Sequence, residues 1–164
     1  MRNTFKPFTR LRLFVAAITT LVCLHTNPAH ALELTPSATA GHWKLIEFAT
    51  NFPVADSTGP LGIAFTNSGK VLVSTWPGKV YVFPNDTDGQ SANNATVGQN
   101  YTKGHSTGLT RLGSNIYMTT QYGNTVVQLN DDGTYNQKIV DLTGAQGICV
   151  NPNNQHLIAS SSVG

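Results

Sequence analysis

Apolar residues along this chain come in short runs separated by Gly-, Asn- and Asp-containing turns, and the order of runs and turns recurs. Gly62-Ile63-Ala64-Phe65, a turn at Asn67-Ser68-Gly69, Val71-Leu72-Val73-Ser74-Thr75, Gly78 and Val80-Tyr81-Val82-Phe83 come first. The order returns as Gly108-Leu109-Thr110-Arg111, Ile116-Tyr117-Met118-Thr119-Thr120, Gly123 and Val126-Val127-Gln128-Leu129. It starts again as Gly147-Ile148-Cys149-Val150 and Leu157-Ile158-Ala159-Ser160-Ser161. Short alternating or apolar runs bounded by such turns predict strands. A repeat of roughly forty residues built from short strands predicts propeller blades. The expected fold is all-β: β-propeller blades of four antiparallel strands, forming an incomplete propeller, because about four to eight blades close a ring.

The first blade is expected over 59–104, with strands at 62–66, 71–75 and 79–83 and a weakly marked fourth near 95–103. The second is expected over 105–142, with strands at 108–112, 116–120, 125–130 and 134–141. A half-blade fills 143–164 and stops at the glycine that matches Gly78 and Gly123. Upstream, Trp43, Leu45 and, after one slip, Phe48 alternate with polar residues, which predicts a strand at 43–48. That strand reads as the outer strand of a further blade, and the whole partial propeller as 42–164. Residues 32–41 read as a flexible lead-in. A half-blade carries unpaired strand edges, so the reading calls for a longer propeller or for self-association through those edges.

Residues 1–31 alter the charge argument. Arg2, Lys6, Arg10 and Arg12 precede an apolar run from Leu13 to Leu24, and Ala29-His30-Ala31 supplies a small-x-small cleavage pattern. This is the layout of a secretory signal peptide, and its apolar run is shorter than the roughly twenty residues a spanning helix needs. The full chain has a formal net charge of +2, but from Leu32 onward six Lys/Arg face eight Asp/Glu, for a net charge of −2. The basic balance belongs to export, and no basic patch points to nucleic acid. The expected location is periplasmic or extracellular, with no membrane contact after cleavage. One cysteine remains, Cys149, so no internal disulfide forms. In the repeat it aligns with Ala64 and Thr110, a position for small residues.

The run Pro60-Leu61-Gly62-Ile63-Ala64-Phe65, Ser68-Gly69-Lys70-Val71-Leu72-Val73-Ser74, Gly78-Lys79-Val80-Tyr81-Val82-Phe83 resembles an NHL repeat. The wider resemblance is to six-bladed propellers of the NHL and SMP-30/gluconolactonase-like kind, over about two-thirds of the chain. It implies architecture more than activity, since such propellers host hydrolases, lyases and binding modules alike. SMP-30-like lactonases hold a divalent metal with a carboxylate from a Glu-Gly-Pro motif. Here the motif reads Thr58-Gly59-Pro60, so the glycine and proline match and the carboxylate does not.

In a propeller, the loops entering the first strand of each blade and joining its second and third strands gather on one face. Those loops hold Asp56, Thr58, Trp76, His105, Gln121, Tyr122 and Gln146. Trp76, Tyr122, His105, Gln146 and Asp56 are the ligand-binding candidates. Trp76 and Tyr122 read as matching positions of successive blades and, together, as a stacking platform for a sugar or ring ligand. Against this stands the plainer reading that each caps its own blade. His105 is a candidate base or metal ligand without a paired carboxylate or second His at ligand spacing. The stretch Asp86-Thr87-Asp88-Gly89 lacks the remaining positions of a calcium loop. The pairs Ser74-Thr75, Thr119-Thr120 and Ser160-Ser161 recur at one repeat position and therefore serve the blade. The reading is an exported, non-catalytic module that binds a small molecule or protein through its loop face, with no cofactor and no metal. The alternative is a fragment of an SMP-30-like lactonase/hydrolase or a streptogramin-lyase-like enzyme, in which a divalent metal would apply; its catalytic residues are unknown.

Overall fold

A computed structural model of the chain describes residues 33–100 and 105–163. The expected signal peptide at 1–31 lies outside them, as do residues 101–104. Two compact units divide at Trp43. In the first, the expected flexible lead-in contains one helical turn, α1 (Pro36–Ala40). Thr35 caps it by accepting from the Ala38 amide at 3.3 Å, and Pro36 occupies the first turn, where its missing N–H costs nothing.

The second unit is nearly all β. Its strands are β1 (Ala49–Thr50), β2 (Pro60–Phe65), β3 (Val71–Thr75), β4 (Lys79–Phe83), β5 (Gln90–Ser91), β6 (Thr96–Asn100), β7 (Ser106–Leu112), β8 (Asn115–Thr120), β9 (Thr125–Leu129), β10 (Tyr135–Asp141), β11 (Ala145–Asn151) and β12 (His156–Ser161). Two four-stranded antiparallel sheets, β2-β3-β4-β6 and β7-β8-β9-β10, are the two expected blades, and the pair β11-β12 is the half-blade. The registers repeat. Gly62 faces Ser74 and Ala64 faces Leu72, just as Gly108 faces Thr119 and Thr110 faces Tyr117.

The strand expected at 43–48 does not form. Residues 43–48 are irregular, and the strand lies just beyond, at β1, which pairs in parallel with β5 instead of edging a blade. The alternation misleads because Leu45 and Ile46 are both exposed. The anchors are instead Phe48 and Phe52, whose rings pack edge-on against Phe83 at 5.2 and 5.9 Å, with Phe52 also on Tyr81. Together with Ala92 they cover the Val71, Val73, Tyr81 and Phe83 face of the first sheet.

The opposite face of that sheet makes the main core. Ala64, Leu72, Val80 and Val82 pack against Leu109, Ile116, Met118, Val127 and Leu129 of the second sheet. Each fully buried aliphatic side chain there contributes about 1.5–3 kcal/mol. The second sheet repeats the arrangement on its far side toward β11-β12, whose Ile148, Val150, Leu157 and Ala159 are half-buried.

Glycine sets how closely consecutive innermost strands approach. A Cβ on Gly62 would lie 2.6 Å from the Leu109 nitrogen and 2.9 Å from the Gly108 carbonyl carbon. A Cβ on Gly108 would lie 3.0 Å from the Gln146 oxygen and the Ile148 nitrogen. Both obstacles are backbone, so they cannot swing away as a side chain would. The Ser/Thr pairs reinforce the blades as expected. Thr75 donates to the Lys79 carbonyl at 3.2 Å, Thr120 bonds Thr125 at 2.9 Å, and Ser161 donates to the Thr143 carbonyl at 2.6 Å. Thr107 donates to the Gln146 carbonyl at 2.7 Å, and Thr119 reaches the same oxygen.

Two outcomes follow from this packing. Gly62→Ala is expected to destabilise the chain by about 1–3 kcal/mol through overpacking, and Gly108→Ala by less, both read from urea midpoints; equal or negligible losses would contradict the stacking. In the β9–β10 hairpin, the Thr134 hydroxyl and amide donate to the Asp132 carboxylate at 2.6 and 3.0 Å. These bonds, the hydroxyl's foremost, hold the Asp132 carboxyl below the usual carboxylate range. A depressed folded-state value gives stability that is present above the unfolded pKa and is lost as pH falls through the folded one. The Thr134 amide resonance should therefore titrate with a midpoint below that of an ordinary aspartate, and Asp132→Asn should abolish the transition. A midpoint at or above the ordinary value would refute the contact.

Candidate functional site

The loop end of the unit begins with a two-residue turn. Ala55 and Thr58 exchange backbone bonds at 2.9 and 2.8 Å, with Asp56 and Ser57 both in the left-handed region at φ 50° and 62°. Such a turn needs positive φ at both central positions. It presents the Asp56 carboxylate to Trp76, whose indole Nε1 donates to Asp56 Oδ2 at 3.2 Å. Trp76 belongs to the turn between β3 and β4, where Gly78 N–H donates to the Thr75 carbonyl at 2.9 Å.

Trp76 is the first ring of a ladder. Its centroid lies 3.8 Å from that of His105, and His105 lies 4.2 Å from Tyr122. Trp76 and Tyr122 are 6.3 Å apart with the imidazole between them. Tyr122 is exposed, while Trp76 and His105 are half-buried. His105 Nδ1 and Gln121 Oε1 are buried without a hydrogen-bond partner among the described residues. Their backbones are joined by the Gln121 amide donating to the His105 carbonyl at 2.8 Å.

Trp76 also lines an open depression of about 290 Å³ with Thr58, Leu61, Thr107, Gln146 and Gly147. Leu61, Thr107 and Gln146 occupy the same repeat position, one residue before the packing glycine of β2, β7 and β11. The depression thus sits where the innermost strands converge. All five candidates, Asp56, Trp76, His105, Tyr122 and Gln146, lie on this one face, joined to each other or to the depression through Trp76. Leu61 and Thr107 escaped the sequence reading, although they are the repeat equivalents of Gln146 and that equivalence identifies them.

One expectation needs correction. Trp76 and Tyr122 are not matching positions. The Trp76 amide donates to Gly59 O at 3.1 Å, as the Gln121 amide does to His105 O and the Ser162 amide to Gly144 O. Trp76 therefore matches Gln121 and Ser162, and His105 matches Gly59 and Gly144. Tyr122 stands one residue later and matches Pro77 and Val163. No member of the ladder is repeated from blade to blade.

The divalent metal implied by the lactonase resemblance does not fit these residues. Thr58 offers a neutral hydroxyl, which donates to the Asp56 carbonyl at 3.4 Å, and the Asp56 carboxylate is engaged by the Trp76 indole. Hard divalent cations favour carboxylate oxygens. Among the described residues no three His, Cys, Asp or Glu side chains are grouped to hold a metal ion.

No protein-family model matches the chain, and a search of curated proteins finds no match. Among solved structures, the chain is similar to a protein provisionally assigned as a gluconolactonase, at 23% identity and a TM-score of 0.48, over 67% of this chain and 38% of the other. It is also similar to a protein of unknown function from Bacteroides caccae, at 13% identity and a TM-score of 0.42, over 69% of this chain and 49% of the other. The chain spans less than half the length of either structure.

Proposed function

We propose that the chain is an exported β-propeller module that binds a ring-bearing small molecule, a sugar or a flat heterocycle, against the Trp76–His105–Tyr122 ladder. The observation that carries this reading is the ladder's irregularity. Residues that serve a blade recur in every blade, as the Ser/Thr pairs and the packing glycines do. Trp76, His105 and Tyr122 come from three different repeat positions and still converge within 3.8 and 4.2 Å of one another. Blade architecture does not require that convergence, whereas a stacking surface does. Asp56 bonds the Trp76 indole, and Thr58, Thr107 and Gln146 line the depression beside Trp76 with polar groups that orient a ligand.

A binding role is favoured over the lactonase or lyase alternative by the surroundings of His105. A general base needs its second ring nitrogen oriented by a partner, and among the described residues His105 Nδ1 has none. The Asp56 carboxylate is bonded to the Trp76 indole. Export rests on the sequence of residues 1–31.

The test is a fluorescence titration of Trp43→Phe, in which Trp76 is the sole tryptophan, with a panel of monosaccharides, disaccharides and flat heterocycles. At least one class is expected to shift Trp76 emission saturably. Adding Tyr122→Ala should raise Kd about tenfold, the effect of a stacking contact on the order of 1 kcal/mol, with the circular dichroism spectrum unchanged. Calorimetry on Trp76→Ala should show binding lost. Binding that survives Trp76→Ala, or a panel with no saturable ligand, would refute the reading.

A further inference from the structure

We infer that the ring ligand of this face carries a positive charge, as a protonated amine or a cationic heterocycle, and that Asp56 selects it. Granted the stacking role of the Trp76–His105–Tyr122 ladder, on which this proposal rests, the charge and hydrogen-bonding character of the face decide which rings it takes. Among Asp56, the three ladder rings and the described residues that line the depression, Asp56 supplies the only carboxylate and no Lys or Arg occurs. Its position is built at a conformational cost. Asp56 and Ser57 hold φ of 50° and 62°, and neither is the glycine that such a turn favours. Left-handed backbone at residues with side chains collects where a side chain has to be placed. The Trp76 indole takes one acceptor position, on Oδ2 at 3.2 Å, of the roughly four that a carboxylate offers. Asp56 is exposed, so an N–H donor from outside can reach the others.

The donors beside Asp56 are turned inward. The indole N–H is engaged by Asp56, the Thr58 hydroxyl donates to the Asp56 carbonyl at 3.4 Å, and the Thr107 hydroxyl donates to the Gln146 carbonyl at 2.7 Å. A hydroxyl has one proton to give, so Thr58 and Thr107 present lone pairs to a ligand, while the Gln146 side-chain amide can serve either way. A ligand group that brings protons meets acceptors here. A carboxylate group meets like charge, and the face therefore disfavours sugar acids, the products of lactone hydrolysis. The rings act in the same direction. A cation within roughly 6 Å of a ring centroid is attracted by the negative face of the ring, most strongly by an indole. Because Asp56 is bonded to the edge of Trp76, a ring stacked on the ladder can set an ammonium substituent between the carboxylate and an aromatic face.

Calorimetric titration of the chain at neutral pH with matched pairs of rings tests this: benzylamine against benzyl alcohol, and glucosamine against glucose. In at least one pair the amine is expected to bind about tenfold more tightly than its neutral partner, the combined effect of an exposed ion pair and a cation–π contact. The advantage should shrink as salt is raised, because the carboxylate is exposed. Asp56→Asn keeps an oxygen for the indole and suits a left-handed backbone. It should erase the difference between the amine and its neutral partner with the circular dichroism spectrum unchanged. Neutral rings that bind as tightly as their amines to the unaltered chain would overturn the proposal and leave the stacking reading standing, whereas rings that all fail to bind would overturn both. An amine advantage that survives Asp56→Asn would overturn the selection by Asp56.

Discussion

The structure depends on how closely one innermost strand lies against the next. Gly62 and Gly108 remove the side chain at the point where the following strand's backbone arrives, and everything that makes a core depends on that approach. With the strands this close, the aliphatic faces of the first and second sheets meet around Leu72, Ile116 and Met118, all fully buried. The outer strands are drawn in as well. Gly98 of β6 is met by the backbone of Asp132 and Gly133, and the Tyr135 amide donates to Gln99 Oε1 at 3.1 Å. Hydroxyls at the strand ends then supply the polar ties that buried carbonyls require.

Within each blade, the first three antiparallel strands were legible because they are short, largely apolar runs closed by turns whose residues have a defined conformational role. The fourth strand of the first blade carried only a faint signal, Thr96–Asn100 being polar and largely edge-placed, yet its expected position holds. The region before the first blade was not legible. Alternation through Trp43, Leu45 and Phe48 suggested a strand, but the pairing partner of the adjoining Ala49–Thr50 is Gln90–Ser91, 41 residues away and without a pattern of its own. The aromatic anchors Phe48 and Phe52 flank the two-residue strand β1 and lie outside it, so no strand alternation reports them.

The candidate site was legible as a set and misread in its internal logic. Loop position alone placed Asp56, Trp76, His105, Tyr122 and Gln146 on one face, because propeller topology sends those loops the same way. The assumed equivalence of Trp76 and Tyr122 was off by one residue, an error that only the hydrogen bonds to Gly59, His105 and Gly144 reveal. That correction bears on function. Equivalent aromatics would have been blade caps; inequivalent ones that still converge are a local departure from the repeat, and departures from a repeat are where a site is expected.

The most direct measurement of the stacking constraint is a nuclear Overhauser spectrum of the amide-labelled chain. The account predicts strong cross-peaks from the Gly62 Hα protons to the Leu109 amide and from the Gly108 Hα protons to the Ile148 amide, since both pairs join residues of different sheets that only close backbone approach brings together. Absence of these cross-peaks, in a spectrum where the β2–β3 and β7–β8 pairings are evident, would contradict it.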